Sequence, residues 1–486
     1  MSTIVPRGKS SLYDVAVLGG GSAGYAAART AAAAGLRTAV IEGGKEVGGL
    51  CILRGCMPSK ALLYAAEVRH LARQGKTWGL RIPKAGFDFA AVMARKRAMV
   101  EDFAGYRREQ LNEGRFDFFR ARARFVDGHT LELKETGGKP RWLTARHFII
   151  CTGSVPTAPP CPGLEEAGFL TSDDALELPA PPRSLVVLGG GPVAVELAQF
   201  FCRMDVKVTL IQRSGQVLRD SDADAAAALE TVLRREGVEI FAPAPLVRAW
   251  RKGRSKIVEF EWGNGTRTVA AAEILAATGR KPNTAGLGLE EIGVRMEEGR
   301  IMTNAEMQSS APQIYAAGDC TGPHQIVHIA VEQGELAAHN IAHPRRRRGM
   351  DYRLLTRVVF TDPQVAAVGL TEKEGRARRI PFLAARYPFA DHGKSVIMEA
   401  KDGFVKLLAD GKTGEILGGA CVGPMGGELI HEIMAAMSGR MTVRQLAALP
   451  HYHPTLAEIW TYPAGELAER ISNTRLSSQD EFSNFV

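Results

Sequence analysis

Short apolar runs separated by glycine-rich breaks recur along the chain, and their period changes from one region to the next. At 13–44, YDVAVLGGGSAGYAAARTAAAAGLRTAVIEGG, the run Val15–Leu18 predicts a strand, the glycines a tight turn, the alanines a helix and TAVIE a second strand. The same order returns at 185–213, LVVLGGGPVAVELAQFFCRMDVKVTLIQR. Past 352 the pattern is different. RVVFTDPQVAAVGLTEKEG and GFVKLLADGKTGEILGGACVGPMGGELI alternate apolar strands with Asp-Gly and Thr-Gly turns and then run into an amphipathic helix.

The glycines of the first unit have a defined spacing. Gly19, Gly21 and Gly24, with Ser22 and Ala23 between, form GxGxxG directly after a strand, and Glu42 closes the second strand 23 residues after Gly19. That is a dinucleotide fingerprint in its required context: one glycine for the turn, one to admit a pyrophosphate, one for helix–strand contact, and an acid for a ribose hydroxyl. In the second unit Gly189, Gly191 and Ala194 fill the small positions, but the strand ends in Gln212-Arg213. Loss of the acid beside Arg213 and Arg219 favours a 2′-phosphate, hence NADPH over NADH; the alternative is that these arginines line an exposed loop.

The stretch GGLCILRGCMPSK at 48–60 sets Cys51 and Cys56 five residues apart. On a regular helix that is about 7.5 Å of rise and about 140° of turn, whereas a disulfide needs α-carbons within about 7 Å. A bonded pair therefore requires a break in the helix, which Gly55 can supply, with Pro58 in the first turn of a helix over 59–66. A cysteine just before a helix start sits in a field that favours thiolate. Alone, the stretch makes a redox pair plausible.

With 486 residues the chain is long enough for two to four domains, and 45% hydrophobic with 23% charged residues is ordinary for a globular protein. No apolar run reaches the roughly 20 residues of a membrane span, and the N-terminus lacks a signal-peptide pattern. Apart from the motif pair, the cysteines (151, 161, 202, 320, 421) are scattered, which favours packing thiols and a cytoplasmic setting and leaves no zinc spacing. Of the net charge of +8, part is the Arg345–Arg348 run in HPRRRRG, read as a solvated linker or, failing that, as attraction to an acidic partner. No nucleic-acid-binding signature accompanies it.

Five motifs in order resemble those of the flavoprotein disulfide reductases, the class I pyridine nucleotide-disulfide oxidoreductases that include dihydrolipoamide dehydrogenase, glutathione reductase and mercuric reductase. They are GGLCILRGCMPSK, FIICTGSVPTAPPCPG, AATGRKPN, IYAAGDC and HYHPTLAE, and the likeness runs from about Tyr13 to Arg470. The resemblance implies an α/β fold with two Rossmann-like dinucleotide-binding domains and an α+β C-terminal dimerisation domain. Its boundaries would be an FAD domain over 1–153, an NAD(P) domain over 154–280, the rest of the FAD domain over 281–350 and the interface domain over 351–486. It implies FAD held by Gly19, Gly21, Ser22, Ala23, Gly24, Glu42, Gly49, Lys60, Thr152, Gly153 and Asp319. NADPH or NADH would be held by Gly189, Gly191, Ala194, Gln212, Arg213, Arg219 and Gly279. By the same resemblance Cys51–Cys56 is the redox disulfide, with Cys56 facing the flavin and Cys51 meeting the substrate. His453, oriented by Glu458 and contributed by the other subunit of a homodimer, is the base. Lys60 and Glu196 match a pair beside the flavin.

Some residues leave the family pattern or fall outside it. Leu50 replaces a threonine, Ile52-Leu53-Arg54 replaces an uncharged loop, and Pro192 stands where many relatives have an aromatic residue. Arg54 would favour a thiolate, greet an acidic substrate or simply face solvent. His451 is unassigned, and Met434 and Met437 suit core or dimer packing. The ending RLSSQDEFSNFV carries no cysteine pair, which disfavours mercuric reductase and the large thioredoxin reductases. The expectation is a dihydrolipoamide dehydrogenase-like enzyme acting on a dithiol or lipoyl-bearing protein. The alternatives are an NADPH-dependent reductase of a small disulfide such as glutathione and, from another class, a flavin-bearing nucleic-acid binder with an idle redox site.

Overall fold

The computed structural model describes residues 12–135 and 137–483, with side chains to 473. The readings that rest on residues 1–11 and on side chains beyond 473 lie outside these. The chain forms two compact bodies. One comprises the described residues up to Leu62 with Ala90–Thr157 and Gly279–Met350; the other comprises Leu63–Phe89, Ala158–Thr278 and the residues from Asp351.

In the first body, strands Asp117–Phe119, Thr38–Ile41, Leu12–Leu18 and Arg141–Ile150 lie side by side, all parallel. The last of these also takes Ile314–Ala316 in parallel and Thr130–Lys134 antiparallel along different parts of its length. A parallel sheet is covered on both faces. Leu12–Leu18 accordingly sends Val15 and Val17 into one core and Ala16 and Leu18 into the other. Helix Ser22–Ala33 buries Ala23, Ala27, Ala28 and Ala31. Its alanines let helix Val327–Ala342 approach closely: a β-carbon on Gly334 would stand 2.3 Å from the Ala23 carbonyl oxygen.

The second body holds a parallel sheet ordered Glu239–Phe241, Lys207–Ile211, Ser184–Leu188, Glu273–Ala276. An antiparallel meander, Leu246–Lys252, Ser255–Trp262 and Gly265–Ala271, packs beside it through Phe260 and Ala249. From Asp351 the chain builds a five-stranded antiparallel sheet ordered Thr356–Val359, Gln364–Gly369, Ile416–Gly423, Phe404–Ala409, Leu383–Pro388. Helices Gly426–Ser438 and Thr461–Ser483 belong to its core, with Ile433, Met437, Trp460 and Leu467 all buried. Met437 is therefore a packing residue, and Met434 lies half-buried against the same core. Lys406, 2% exposed, sits among Asp222, Asp224 and Glu372 with Nζ 2.8–2.9 Å from each. The fold is thus α/β with two dinucleotide-type sheets and an α+β C-terminal region. Among the described residues, no helix is long and apolar enough to cross a membrane.

Candidate active site

At the C-terminal end of Leu12–Leu18 the chain turns at Gly19, whose φ of +107° is open to glycine and strained for other residues. Gly24 is needed for space, since its β-carbon would lie 1.8 Å from the Gly19 carbonyl oxygen. Gly21 caps helix Ser22–Ala33 without a side chain, leaving the first N–H groups directed outward. The Glu42 carboxylate accepts from the Gly20 N–H at 2.8 Å and the Gly44 N–H at 2.6 Å, which pins it beside that helix start. Across the crevice, Asp319 accepts from Ser154 Oγ at 2.6 Å, and Arg280 Nε donates to the same Oγ at 2.9 Å. Gly153 and Gly279 both adopt positive φ, and a β-carbon on either would meet open space.

The two motif cysteines lie on consecutive helices. Cys51 is in Gly49–Leu53, and Cys56 opens Cys56–Arg73, which starts three residues earlier than the sequence suggests because a proline is tolerated in a first helical turn. Gly55, at the break between the helices, is not among the glycines with positive φ. Its requirement is room: a β-carbon there would stand 3.0 Å from the Leu50 carbonyl oxygen and 3.2 Å from the Cys51 α-carbon. Gly49 has φ +74°, and its β-carbon would lie 2.5 Å from the Gly21 α-carbon. The cysteine helix is therefore packed directly on the glycine turn. The Cys51 thiol is shifted well up, first by its hydrogen bond with Cys56 and then by burial, and Arg107 partly opposes the rise. Arg107 lies over the Tyr25 ring at 4.4 Å and donates to the Gly21 carbonyl oxygen at 3.4 Å. Arg54 instead pairs with Glu46, so its charge is compensated at the surface. Lys60 is half-buried one turn after Cys56.

In the second body the turn repeats at Gly189, with φ +111°. Ala194 fills the third small position and is fully buried. Gly191 caps helix Pro192–Arg203. Gln212 donates to the Gln216 carbonyl oxygen at 3.3 Å, so no carboxylate stands at the strand end. Arg213 is exposed, and Arg219 is exposed with Nε 3.4 Å from Asp220. Glu196 is 5% exposed and accepts from the Phe360 N–H at 2.9 Å.

Also in that body, His453 Nδ1 lies 2.9 and 3.1 Å from the two Glu458 oxygens. The histidine side chain is 74% exposed while the carboxylate is 9% exposed, leaving the other ring nitrogen toward solvent. His451 makes its own pair with Glu432 at 2.7 Å, separate from the dyad; burial opposes its protonation, but Glu432 raises its pKa overall. Of the scattered cysteines, Cys151, Cys320 and Cys421 are buried, and Cys161 and Cys202 are half-buried. Burial pushes all five up, Cys202 and Cys320 to about 11, which makes them poor nucleophiles. In the arginine run, Arg347 pairs with Glu306, and the Arg348 backbone is bonded on both sides to Asn340.

Residues 13–334 match the family described as pyridine nucleotide-disulphide oxidoreductase, and 355–464 match its dimerisation domain. The chain belongs to the pyridine nucleotide-disulphide oxidoreductases. It is 34% identical over 448 residues to the dihydrolipoyl dehydrogenase of Geobacillus stearothermophilus, covering 92% of this chain and 94% of that one. It is equally 34% identical over 449 residues to the mercuric reductase of Streptomyces lividans, with the same coverages. Among solved structures, LpdA from Mycobacterium tuberculosis superposes with a TM-score of 0.85 at 28% identity, covering 93% of this chain and 99% of that one. The HOCl-induced flavoprotein disulfide reductase RclA from Escherichia coli gives 0.82 at 27% identity, also covering 93% and 99%.

As a member of this family the protein is a flavoprotein disulfide oxidoreductase that uses FAD and NAD(P)H, and its dimerisation domain supports a homodimer. The first body fits FAD. Thr152 Oγ1 is buried with no hydrogen-bond partner among the described residues, in the crossover segment that joins Ser154. Together with the bare helix start at Gly21 and the carboxylates of Glu42 and Asp319, it offers donors for phosphate and acceptors for ribose. Sequence reasoning missed Ser154, Arg280 and Arg107, although the first two lie within the quoted crossover motifs. Arg107 lies mid-helix in Phe89–Asn112, where no local pattern marks it.

Proposed function

We propose that the protein exchanges electrons between NAD(P) and a dithiol substrate of the dihydrolipoamide type through a Cys51–Cys56 disulfide. The observation that carries this reading is the packing of the cysteine helix on the dinucleotide turn, Gly49 against Gly21. A substrate thiolate attacks Cys51 Sγ, the enzyme S–S bond breaks, and Cys56 leaves as thiolate. The second substrate thiolate then displaces Cys51 from the mixed disulfide, so the substrate is oxidised by two electrons and the enzyme pair is reduced. One proton released from the substrate thiols is held at His453 Nε2, while Nδ1–H stays on Glu458. FAD, when bound, carries the electron pair between the dithiol and the nicotinamide. Glu42 and Asp319 would hold its ribose and phosphate-linked hydroxyls, and Lys60 and Glu196 are assigned beside its ring.

His453 is assigned to act on the partner subunit's cysteines, as the family resemblance implies, and the domain division at 153, 280 and 350 belongs to the same reading. So does a cytoplasmic setting. One observation favours a second reading. The strand end at Gln212, which lacks a carboxylate and is followed by exposed Arg213, suits NADPH, and hence reduction of a small disulfide. Stoichiometric dihydrolipoamide, added anaerobically to the oxidised protein, should expose two alkylatable thiols, at Cys51 and Cys56 by mass spectrometry. No new thiols, in protein that NADPH does reduce, would set lipoyl chemistry aside in favour of the second reading.

A further inference from the structure

The turn between strand Leu383–Pro388 and the short helix Gly393–Ile397 contains a buried histidine that no sequence motif marks. His392 is fully buried, and its Nδ1 lies 2.9 Å from Oγ of Ser395, which is also fully buried. Its Nε2 has no hydrogen-bond partner among the described residues, yet it lies 3.4 Å from Oε1 of Glu458. His453 Nδ1 lies on that same carboxylate, 2.9 Å from Oε2 and 3.1 Å from Oε1.

A buried polar nitrogen left unsatisfied is destabilising, and the Glu458 oxygen is the nearby group that can satisfy it. The two tautomers are not equivalent. With the proton on Nδ1, a bare ring nitrogen would face a carboxylate oxygen, two acceptors opposed in a dry setting. With the proton on Nε2, the Ser395 hydroxyl donates to Nδ1 and the Nε2–H points at Glu458, where a small rotation of the carboxylate completes the bond.

We propose that His392 is a positioning residue for the acid–base pair, its Nε2–H holding Glu458 in place and sharing the charge that His453 draws on. The titratable groups that face it are Glu458 and His453 from the segment before the last helix and Tyr462 from that helix, on which Tyr387 of strand Leu383–Pro388 stacks in turn. The two tyrosine rings stack at 4.0 Å. Asp391 and Lys394 are its neighbours on its own turn. Burial keeps His392 neutral, with Glu458 opposing that effect only in part. It is therefore a constant donor rather than a second acid. Because His453 is mostly exposed whereas His392 is fully buried, His392 is the partner that packing holds against the carboxylate.

The proposal rests on His453 being the base. In His392→Phe, which keeps a ring but loses the donor, all of the carboxylate's charge falls to His453. The acidic limb of the kcat/KM profile for dihydrolipoamide should then move to higher pH by roughly 0.5–1 unit, with KM little changed. His392→Gln, which restores an N–H, should recover most of the wild-type profile. In the wild-type holoenzyme labelled with 15N-histidine, the buried ring should be neutral with its proton on Nε2 between about pH 6 and pH 9. A proton on Nδ1, or an unshifted limb in folded His392→Phe, would overturn the proposal. The wild-type spectrum decides alone if that variant does not fold. An unchanged profile in His453→Ala would instead remove the base assignment beneath it.

Discussion

Gly24→Ala and Gly21→Ala test whether the first glycine turn is built for contact with a cofactor or only for packing. A methyl on Gly24 would stand 1.8 Å from the Gly19 carbonyl oxygen and 3.4 Å from Cys151 Cβ. Since the first neighbour is backbone, turn and helix must part by more than ~1 Å, with an overpacking cost of about 1–3 kcal/mol. Gly21 differs. Its φ of −71° suits any residue, and its nearest neighbour would be the Gly49 α-carbon at 3.5 Å, an ordinary contact. Its substitution should cost the apoprotein less than about 1 kcal/mol, the loss of a glycine helix cap. Yet that methyl stands before the uncapped N–H groups to which a pyrophosphate would bind. Urea unfolding of the two apoproteins, with FAD titrated back by fluorescence quenching, separates the effects. Gly24→Ala should lose both stability and affinity, and Gly21→Ala should keep stability while binding FAD at least ~tenfold more weakly. Wild-type FAD affinity in Gly21→Ala, or a Gly24→Ala apoprotein as stable as wild type, would refute this account of the turn.

Other consequences are open to direct measurement. Because its hydrogen bond with Cys56, and then burial, raise the Cys51 thiol, reduced protein should alkylate at Cys51 more slowly than a free cysteine near pH 8, and Cys56→Ala should speed it up; equal rates would contradict the pairing. Lys406→Met strands Asp222 and its neighbours and should cost about 3–5 kcal/mol by urea unfolding, against less than about 1 kcal/mol for Arg124→Met at the exposed Glu291 pair. Burial tends to raise Asp222, but Lys406 and two backbone N–H groups win and hold it below its ordinary value. Its contribution to stability should therefore be present above the ordinary carboxylate range and lost as pH falls through the lowered folded value. Arg213→Ala with Arg219→Ala should raise KM for NADPH ~tenfold more than KM for NADH; equal changes would return both arginines to the role of loop residues.

Both dinucleotide turns were legible because their physics is local. A glycine with φ near +110° and a small residue at the helix–strand contact follow from a few adjacent positions, as Gly19 with Gly24 and Gly189 with Ala194 show. The dithiol was legible as a motif, but its local geometry was only half readable. Gly55 suggests a conformational distortion, whereas its neighbours Leu50 and Cys51 show that space is what it supplies. Arg54 reads as a charge offered to a thiolate or a substrate until Glu46, eight residues earlier, takes it. Arg107 and His392 were not legible at all. Each gains its meaning from burial against segments far away in sequence, Gly21 and Tyr25 for one and Glu458 for the other.

The proposed function assigns the thiols to one body and the base to the other. Near Cys51 the groups that set its proton affinity are Cys56, which raises it, and Arg107, which lowers it without being able to accept a proton. Thiol–disulfide exchange needs a thiolate, so a base must be brought to this sulfur. The C-terminal region contains a suitable group, an exposed imidazole on a buried carboxylate. Its carboxylate is buried and its second nitrogen is accessible, which is what the proposed role of His453 as base requires. If His453 serves the partner subunit's thiols as proposed, the protein should lose dithiol oxidation on dilution below the dimer dissociation constant. NADPH reduction of a small quinone, which needs no dithiol, should persist in the same sample. Parallel loss of both activities would show that the base is not what the dimer supplies.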